Sequence, residues 1–95
     1  MNVEPTTTLG TLPLTYSPGR ECYASKPYDC TVDGVSITIH VSMYDKPGGV
    51  LSFCGVTDQD QDFHVDVSPR TSVATAWRLA ARPRRAMPAG QAGEA

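Results

Sequence analysis

Residues 35–43 alternate between apolar and polar side chains, and this alternation is the strongest constraint on the fold of the chain. The apolar positions are Val35, Ile37, Ile39, Val41 and Met43, and the residues between them are serine, threonine and histidine. Successive side chains of a strand point to opposite faces, so the pattern predicts a β-strand with one buried face. The β-branched residues on the apolar side favour the same assignment.

The dipeptide Asp33-Gly34, immediately before this strand, predicts a tight hairpin, because both central residues of such a turn need positive φ. In this hairpin all the apolar side chains of the two strands share one face, so the turn and the alternation support each other. The predicted pairs are Val32 with Val35, Cys30 with Ile37, and Tyr28 with Ile39.

Two further reversals extend the hairpin into a meander. Residues 45–49 contain a proline and two glycines, and residues 57–61 are polar and precede a last alternating run. Centring each reversal on its middle residue pairs His40 with Cys54 and Cys54 with His64. These three residues are therefore predicted to lie in one row, because a shift of one residue would expose the apolar side chains.

The apolar face of the meander, which spans residues 28–67, needs a cover, and the only helix candidate follows it. Ser68 can cap a helix over residues 70–82, Pro69 suits its first turn and Pro83 ends it. The predicted fold class is α+β, an antiparallel four- to five-strand meander sheet with one C-terminal helix packed on one face. The helix stripe of Val73, Ala76, Trp77 and Ala80 is expected to cover Ile37, Ile39, Phe53 and Val65.

Outside these elements the sequence gives weaker signals. Leu12, Leu14 and Tyr16 alternate and predict a short edge strand, because Pro13 within that run excludes a central position. Residues 20–27 are expected to form a loop. The predicted organisation is a mobile N-terminus (1–8), a single α+β domain (9–82) and a tail that is basic and then Ala/Gly-rich and disordered (83–95).

Composition is typical of a soluble globular protein, with 40% apolar and 19% charged residues. The sequence contains no run of 18 apolar residues, so it predicts no membrane span. The first residues have neither the basic segment nor the apolar stretch of a secretory signal. Three cysteines do not make a closed disulfide framework, so we expect a reduced, cytoplasmic protein.

Charge is distributed unevenly along the chain. Residues 1–66 hold three basic and nine acidic residues, a net charge of −6, whereas residues 67–95 hold five arginines and one glutamate, a net charge of +4. An acidic first part and a basic end would favour different partners. The acidic first part repels a nucleic-acid backbone.

The acidic residues in the 57–61 reversal and just after it are the first candidate binding site. They lack the central glycine and terminal glutamate of an EF-hand loop, which leaves three alternatives. They form a solvated hairpin end that discourages edge pairing, a surface that docks on a basic groove of a partner, or an adventitious divalent site. The candidate partner-binding residues are Asp58, Asp60, Asp62 and Asp66.

The row of His40, Cys54 and His64 is the second candidate site. Zinc takes histidine and cysteine ligands, and Tyr44 or Asp66 could complete its coordination. A cysteine beside an imidazole can also act as a nucleophile. Equally, an outward strand face collects polar side chains of this kind without a common role. We expect no resident cofactor, and zinc at this row is the alternative.

The remaining motifs exclude several function classes. The sequence contains no G-x-G-x-x-G, P-loop or G-x-S-x-G pattern, so a nucleotide site or a serine hydrolase is not expected. Arg82, Arg84 and Arg85 could touch phosphate, but arginines also suit a helix C-terminus. No helix-turn-helix or zinc-finger spacing is present, so we do not expect direct nucleic-acid binding.

The leading hypothesis is a small acidic, non-enzymatic protein-binding module that docks through its acidic hairpin tip or its open sheet face. Its partner would be a larger protein with a basic groove, such as a nuclease or a nucleoprotein complex. A concrete version is a stand-alone inhibitor, either a phage-type anti-defence protein such as an anti-CRISPR or an immunity protein for a toxin. The alternative is a small metal- or thiol-dependent protein that uses the His/Cys/His row. Self-association as a homodimer through an open edge or face is a further possibility.

Overall fold

A computed structural model describes residues 1–43 and 49–82. Within these residues, six strands and one α-helix follow a short 3₁₀ turn at Leu9–Thr11. The α+β class predicted from the sequence is confirmed. The strands are β1 (Thr15–Ser17), β2 (Cys22–Ala24), β3 (Tyr28–Val32), β4 (Val35–Met43), β5 (Leu51–Thr57) and β6 (Asp62–Val67), and the helix is α1 (Val73–Ala80).

All six strands belong to one antiparallel sheet in the order β1-β2-β4-β5-β6, with β3 also paired to β4. Strands β2 and β3 share one edge of β4: β3 pairs with its first half, and β2 pairs with Ser42 and Met43 at its end. The predicted count of four to five strands is therefore wrong. The long strand β4 accommodates two short neighbours in succession, and residues 20–27, expected as a loop, contain β2.

The predicted register of the central meander is confirmed. Tyr28 pairs with Ile39 across the first hairpin, whose turn places Asp33 at φ 52° and Gly34 at φ 81°. His40 pairs with Cys54, and Cys54 pairs with His64. The turn expected at residues 45–49 lies largely outside the described residues, which resume at Gly49.

The core lies between the apolar face of the sheet and α1. Val73 and Ala76 are fully buried, and Trp77 packs edge-to-face on Phe63 with ring centroids 4.9 Å apart. Ile37, Ile39 and Phe53 belong to the same cluster, with Val65 and Ala80 packed against it. The predicted helix stripe and the sheet residues beneath it are thus part of one core.

The helix begins later than the sequence suggests. Ser72 caps it by accepting a hydrogen bond from the backbone N–H of Thr75. Ser68, the predicted cap, instead accepts from Arg70 N–H within a turn that leads out of β6. The prediction of the cap was wrong because the chain needs this turn to reach the helix, and a second serine lies four residues further on.

The N-terminal segment packs onto the domain, although it carries no periodic signal. Val3 N–H donates to the carbonyl of Asp29 in β3, and the carbonyls of Pro5 and Thr7 accept from the first N–H groups of α1. Leu9, in the 3₁₀ turn, is 1% exposed and belongs to the core. The expected edge strand is reduced to β1, because Leu12 directly follows the 3₁₀ turn.

The predicted tail, residues 83–95, lies outside the described residues. Within residues 1–43 and 49–82, no helix has the length and apolar character needed to cross a membrane.

Candidate functional site

Two of the three residues predicted in the His/Cys/His row are in contact. Cys54 in β5 and His40 in β4 are directly paired, and the Cys54 Sγ lies 3.1 Å from the His40 Nε2. Both side chains are partly buried on the sheet face opposite α1. The pairing of the two strands thus places a thiol and an imidazole within hydrogen-bond distance.

Electrostatics keeps this pair neutral. Burial raises the pKa of the Cys54 thiol, and the nearby charge of Arg20 only partly opposes that rise. Burial also lowers the pKa of His40, and Arg20 lowers it further. A thiol and a neutral imidazole are therefore favoured over a thiolate–imidazolium pair at neutral pH, whereas nucleophilic cysteines need the thiolate.

The third residue of the row, His64, contacts a different partner. Its Nε2 lies 3.1 Å from Asp66 Oδ1, and the same carboxylate oxygen accepts from Ser52 Oγ at 3.1 Å. Among residues 1–43 and 49–82, no three His, Cys, Asp or Glu side chains are arranged to hold a metal ion. The zinc hypothesis therefore rests on the backbone alignment alone and stays a prediction; Tyr44, proposed as a further ligand, lies outside the described residues.

The acidic site is built on the tight turn between β5 and β6. The Thr57 hydroxyl accepts from the backbone N–H groups of Gln59 and Gln61, both at 3.2 Å, and Thr57 N–H donates to the Gln61 carbonyl at 3.0 Å. Asp60 adopts a left-handed conformation with φ 62°, and Asp58 N–H donates to the Ser36 carbonyl in the neighbouring strand. These bonds fix the backbone that carries the carboxylates.

Three of the four predicted partner-binding residues share this turn, and one does not. Asp58, Asp60 and Asp62 are all exposed at the end of the sheet. Asp66 lies four residues along β6 on the polar sheet face, where it is held by His64 and Ser52. The acidic turn, defined here as residues 58–62, is therefore the compact part of the predicted site.

Other acidic residues adjoin the acidic turn. Glu4 and Asp29 line, together with Asp58, a hollow of about 420 Å³ between the N-terminal segment and β3. The predicted hairpin register, which pairs Asp29 with Thr38, could have placed Asp29 near this end of the sheet. No sequence signal locates Glu4, because its position depends on the path of the N-terminal segment.

One acidic residue at this end is already paired. Asp33 accepts two hydrogen bonds from the Arg78 guanidinium, both at 2.9 Å, so the ion pair is bidentate. The bonds from Arg78 hold the pKa of Asp33 below its usual range. The Asp33 carboxylate is therefore occupied by an ion pair within the domain, in contrast to the carboxylates of the acidic turn.

Comparisons with protein-family models, with curated proteins and with solved structures find no significant match to this chain. Function therefore has to be inferred from the residues and their arrangement.

Proposed function

We propose that this protein is a non-enzymatic binding module that docks on a basic surface of a larger protein through its acidic turn. The observation that supports this proposal is the braced backbone of residues 57–61, which holds the exposed carboxylates of Asp58, Asp60 and Asp62 at one end of the sheet. Glu4 and Asp29 extend the negative surface beside Asp58.

A braced turn suits binding for an energetic reason. Ordering flexible side chains and loops at an interface lowers affinity, and a turn that is already fixed by hydrogen bonds avoids part of that cost. Clustered carboxylates also accelerate encounter with a basic partner and set its orientation, at low salt above all. The thiol-dependent alternative has less support, because the His40–Cys54 pair is neutral and a nucleophilic cysteine needs the thiolate.

An inhibitor is one specific form of this function. Nucleases and nucleoprotein complexes present basic grooves, and an acidic protein of this size can occupy such a groove by charge complementarity. An anti-CRISPR-like or immunity protein would be of this kind. Charge and size alone support this narrower version.

Two charge-matched variants test the proposal. D58N/D60N removes two carboxylates from the acidic turn, and asparagine tolerates the left-handed backbone at position 60. The control, E21Q/D66N, changes net charge equally at sites outside the turn. We expect affinity purification from the native cellular background, after nuclease treatment, to recover a protein partner that about 0.5 M salt releases.

The partner should be lost with D58N/D60N and retained with E21Q/D66N. Equal recovery with both variants would reject the acidic turn as the contact. Equal loss would attribute binding to net charge rather than to this surface.

A further inference from the structure

A second hollow, of about 770 Å³, lies on the other side of the acidic turn. It is open to solvent and is lined by the β3–β4 turn, the β5–β6 turn and the C-terminal end of α1. Its volume falls within the range of sites that bind ligands of drug size, and it exceeds the volume of one side chain. The residues that matter for its chemistry are Val35, Thr57, Asp58, Asp62, Phe63 and Trp77.

The exposed lining of this hollow is more polar than apolar, with two largely buried aromatic residues and two exposed carboxylates among the residues that line it. Phe63 and Trp77 pack edge-to-face with an interplanar angle of 71°, and 8% and 9% of their surfaces remain exposed. Asp58 and Asp62 stand on the rim, and both are exposed. The C-terminal end of α1 adds the negative end of the helix dipole. The combination favours a ligand with a cation beside an apolar or planar group.

Thr57 stands between the two hollows. It lines both of them and is only 9% exposed. Its hydroxyl accepts two backbone hydrogen bonds, but across residues 1–43 and 49–82 no group accepts the hydroxyl proton. A hydroxyl donates as well as accepts, so a peptide carbonyl of a bound segment can take this proton.

We propose that this hollow binds an arginine-bearing extended segment of the protein partner. The guanidinium lies between Asp58 and Asp62, its planar face lies toward Trp77, and a backbone carbonyl of the segment accepts from Thr57. Arginine is favoured over lysine because its fork binds carboxylates through paired hydrogen bonds and its plane stacks on aromatic rings. This inference rests on the proposed function and specifies which chemical group the acidic turn recognises.

Trp77 provides a direct readout, because it is the single tryptophan of the chain. The probes are acetylated, amidated peptides Gly-Leu-Xaa-Leu-Gly in which Xaa is arginine, lysine or citrulline, the neutral isostere of arginine. Titration of the full chain with the arginine peptide should change the Trp77 fluorescence saturably. We expect the citrulline peptide to bind about fivefold more weakly, with the lysine peptide between the two.

Three variants locate the binding. Ala81→Phe places bulk at the edge of the hollow and leaves the acidic residues intact, so it should abolish the response. D58N/D62N should reduce the affinity about fivefold. Arg82→Gln should raise the affinity about twofold, because Arg82 also lines the hollow and repels an incoming cation.

Several outcomes would overturn the inference. Equal affinity for the arginine and citrulline peptides would exclude recognition of the guanidinium, and unchanged binding by Ala81→Phe would place the peptide elsewhere. A response seen only in R84Q/R85Q would identify the chain's own basic residues as the occupant. The D58N/D60N comparison with the native partner is independent of these results, so the acidic turn can be upheld while the hollow is rejected.

Discussion

At the scale of single residues, Gly55 in β5 is a position where the sheet leaves no room for a side chain. A Cβ there would meet the backbone carbonyl oxygen of Thr38 and would lie 2.9 Å from Ile39 Cα and from the Phe63 ring. Neither backbone atom can move without disturbing the β4–β5 pairing. We expect Gly55→Ala to lower the free energy of unfolding by about 1–3 kcal/mol, measured by urea denaturation with Trp77 fluorescence.

The matched control is Gly19→Ala, since a Cβ at Gly19 meets nothing within 4 Å and the backbone there is not left-handed. That variant should unfold at the urea concentration of the wild type. If Gly55→Ala were as stable as the wild type, β4 and β5 could not approach each other as closely as their pairing requires.

The candidate site shows how far single residues can be predicted. The row of His40, Cys54 and His64 follows from alternation and turn lengths, and strand pairing places all three as expected. Which side chains then bond depends on rotamers and on neighbours that are distant in sequence. His64 contacts Asp66. Burial lowers the pKa of His40 and raises that of Cys54, and the charge of Arg20, from the β1–β2 loop, adds to the first effect and partly opposes the second. The alternation of apolar and polar residues predicts neither which side chains come into contact nor which distant charges lie nearby.

At the scale of elements, the residue at which α1 starts can be tested at two serines, because the sequence alone does not show which of them is the N-cap. Ser72 accepts from Thr75 N–H at the helix N-terminus, whereas Ser68 serves only the preceding turn. We expect Ser72→Ala to destabilise the fold by about 1 kcal/mol, as is usual for the loss of an N-cap. Ser68→Ala should cost about 0.5 kcal/mol or less. Urea denaturation of the two variants measures the difference, and a larger effect at Ser68 would contradict the observed cap.

Element length explains which strands could be predicted. The central strands β3 to β6 have five to nine residues, enough for alternation to be visible, and Asp33-Gly34 fixes one register. Strand β2 has three residues, Cys22, Tyr23 and Ala24, and although their burial alternates, their residue types do not alternate between apolar and polar. Its position is set by pairing with β1 and with the end of β4, which are tertiary interactions.

At the scale of the whole molecule, the N-terminal segment connects the sheet to the helix. Asn2 forms a parallel bridge with Asp29 in β3, and Thr8 forms an antiparallel bridge with Ser72 before α1. Between these bridges the segment satisfies polar groups that a helix N-terminus leaves without partners. The same path places Glu4 beside the acidic turn, so the proposed binding surface depends on the docking of this segment.

Hydrogen exchange can decide between this docking and the mobility expected from sequence for residues 1–8. The first N–H groups of a helix have no intrahelical acceptor and normally exchange fast. Here Val73 N–H donates to Thr7 and Ala74 N–H donates to Pro5, both at 2.9 Å. We expect both amides to be protected in the full chain and to exchange rapidly once residues 1–8 are deleted.

The internal control is Ala76, whose N–H donates to Ser72 O and should stay protected if the helix persists. Rapid exchange of Val73 and Ala74 in the full chain, with Ala76 protected, would instead establish a mobile N-terminus and remove Glu4 from the acidic surface.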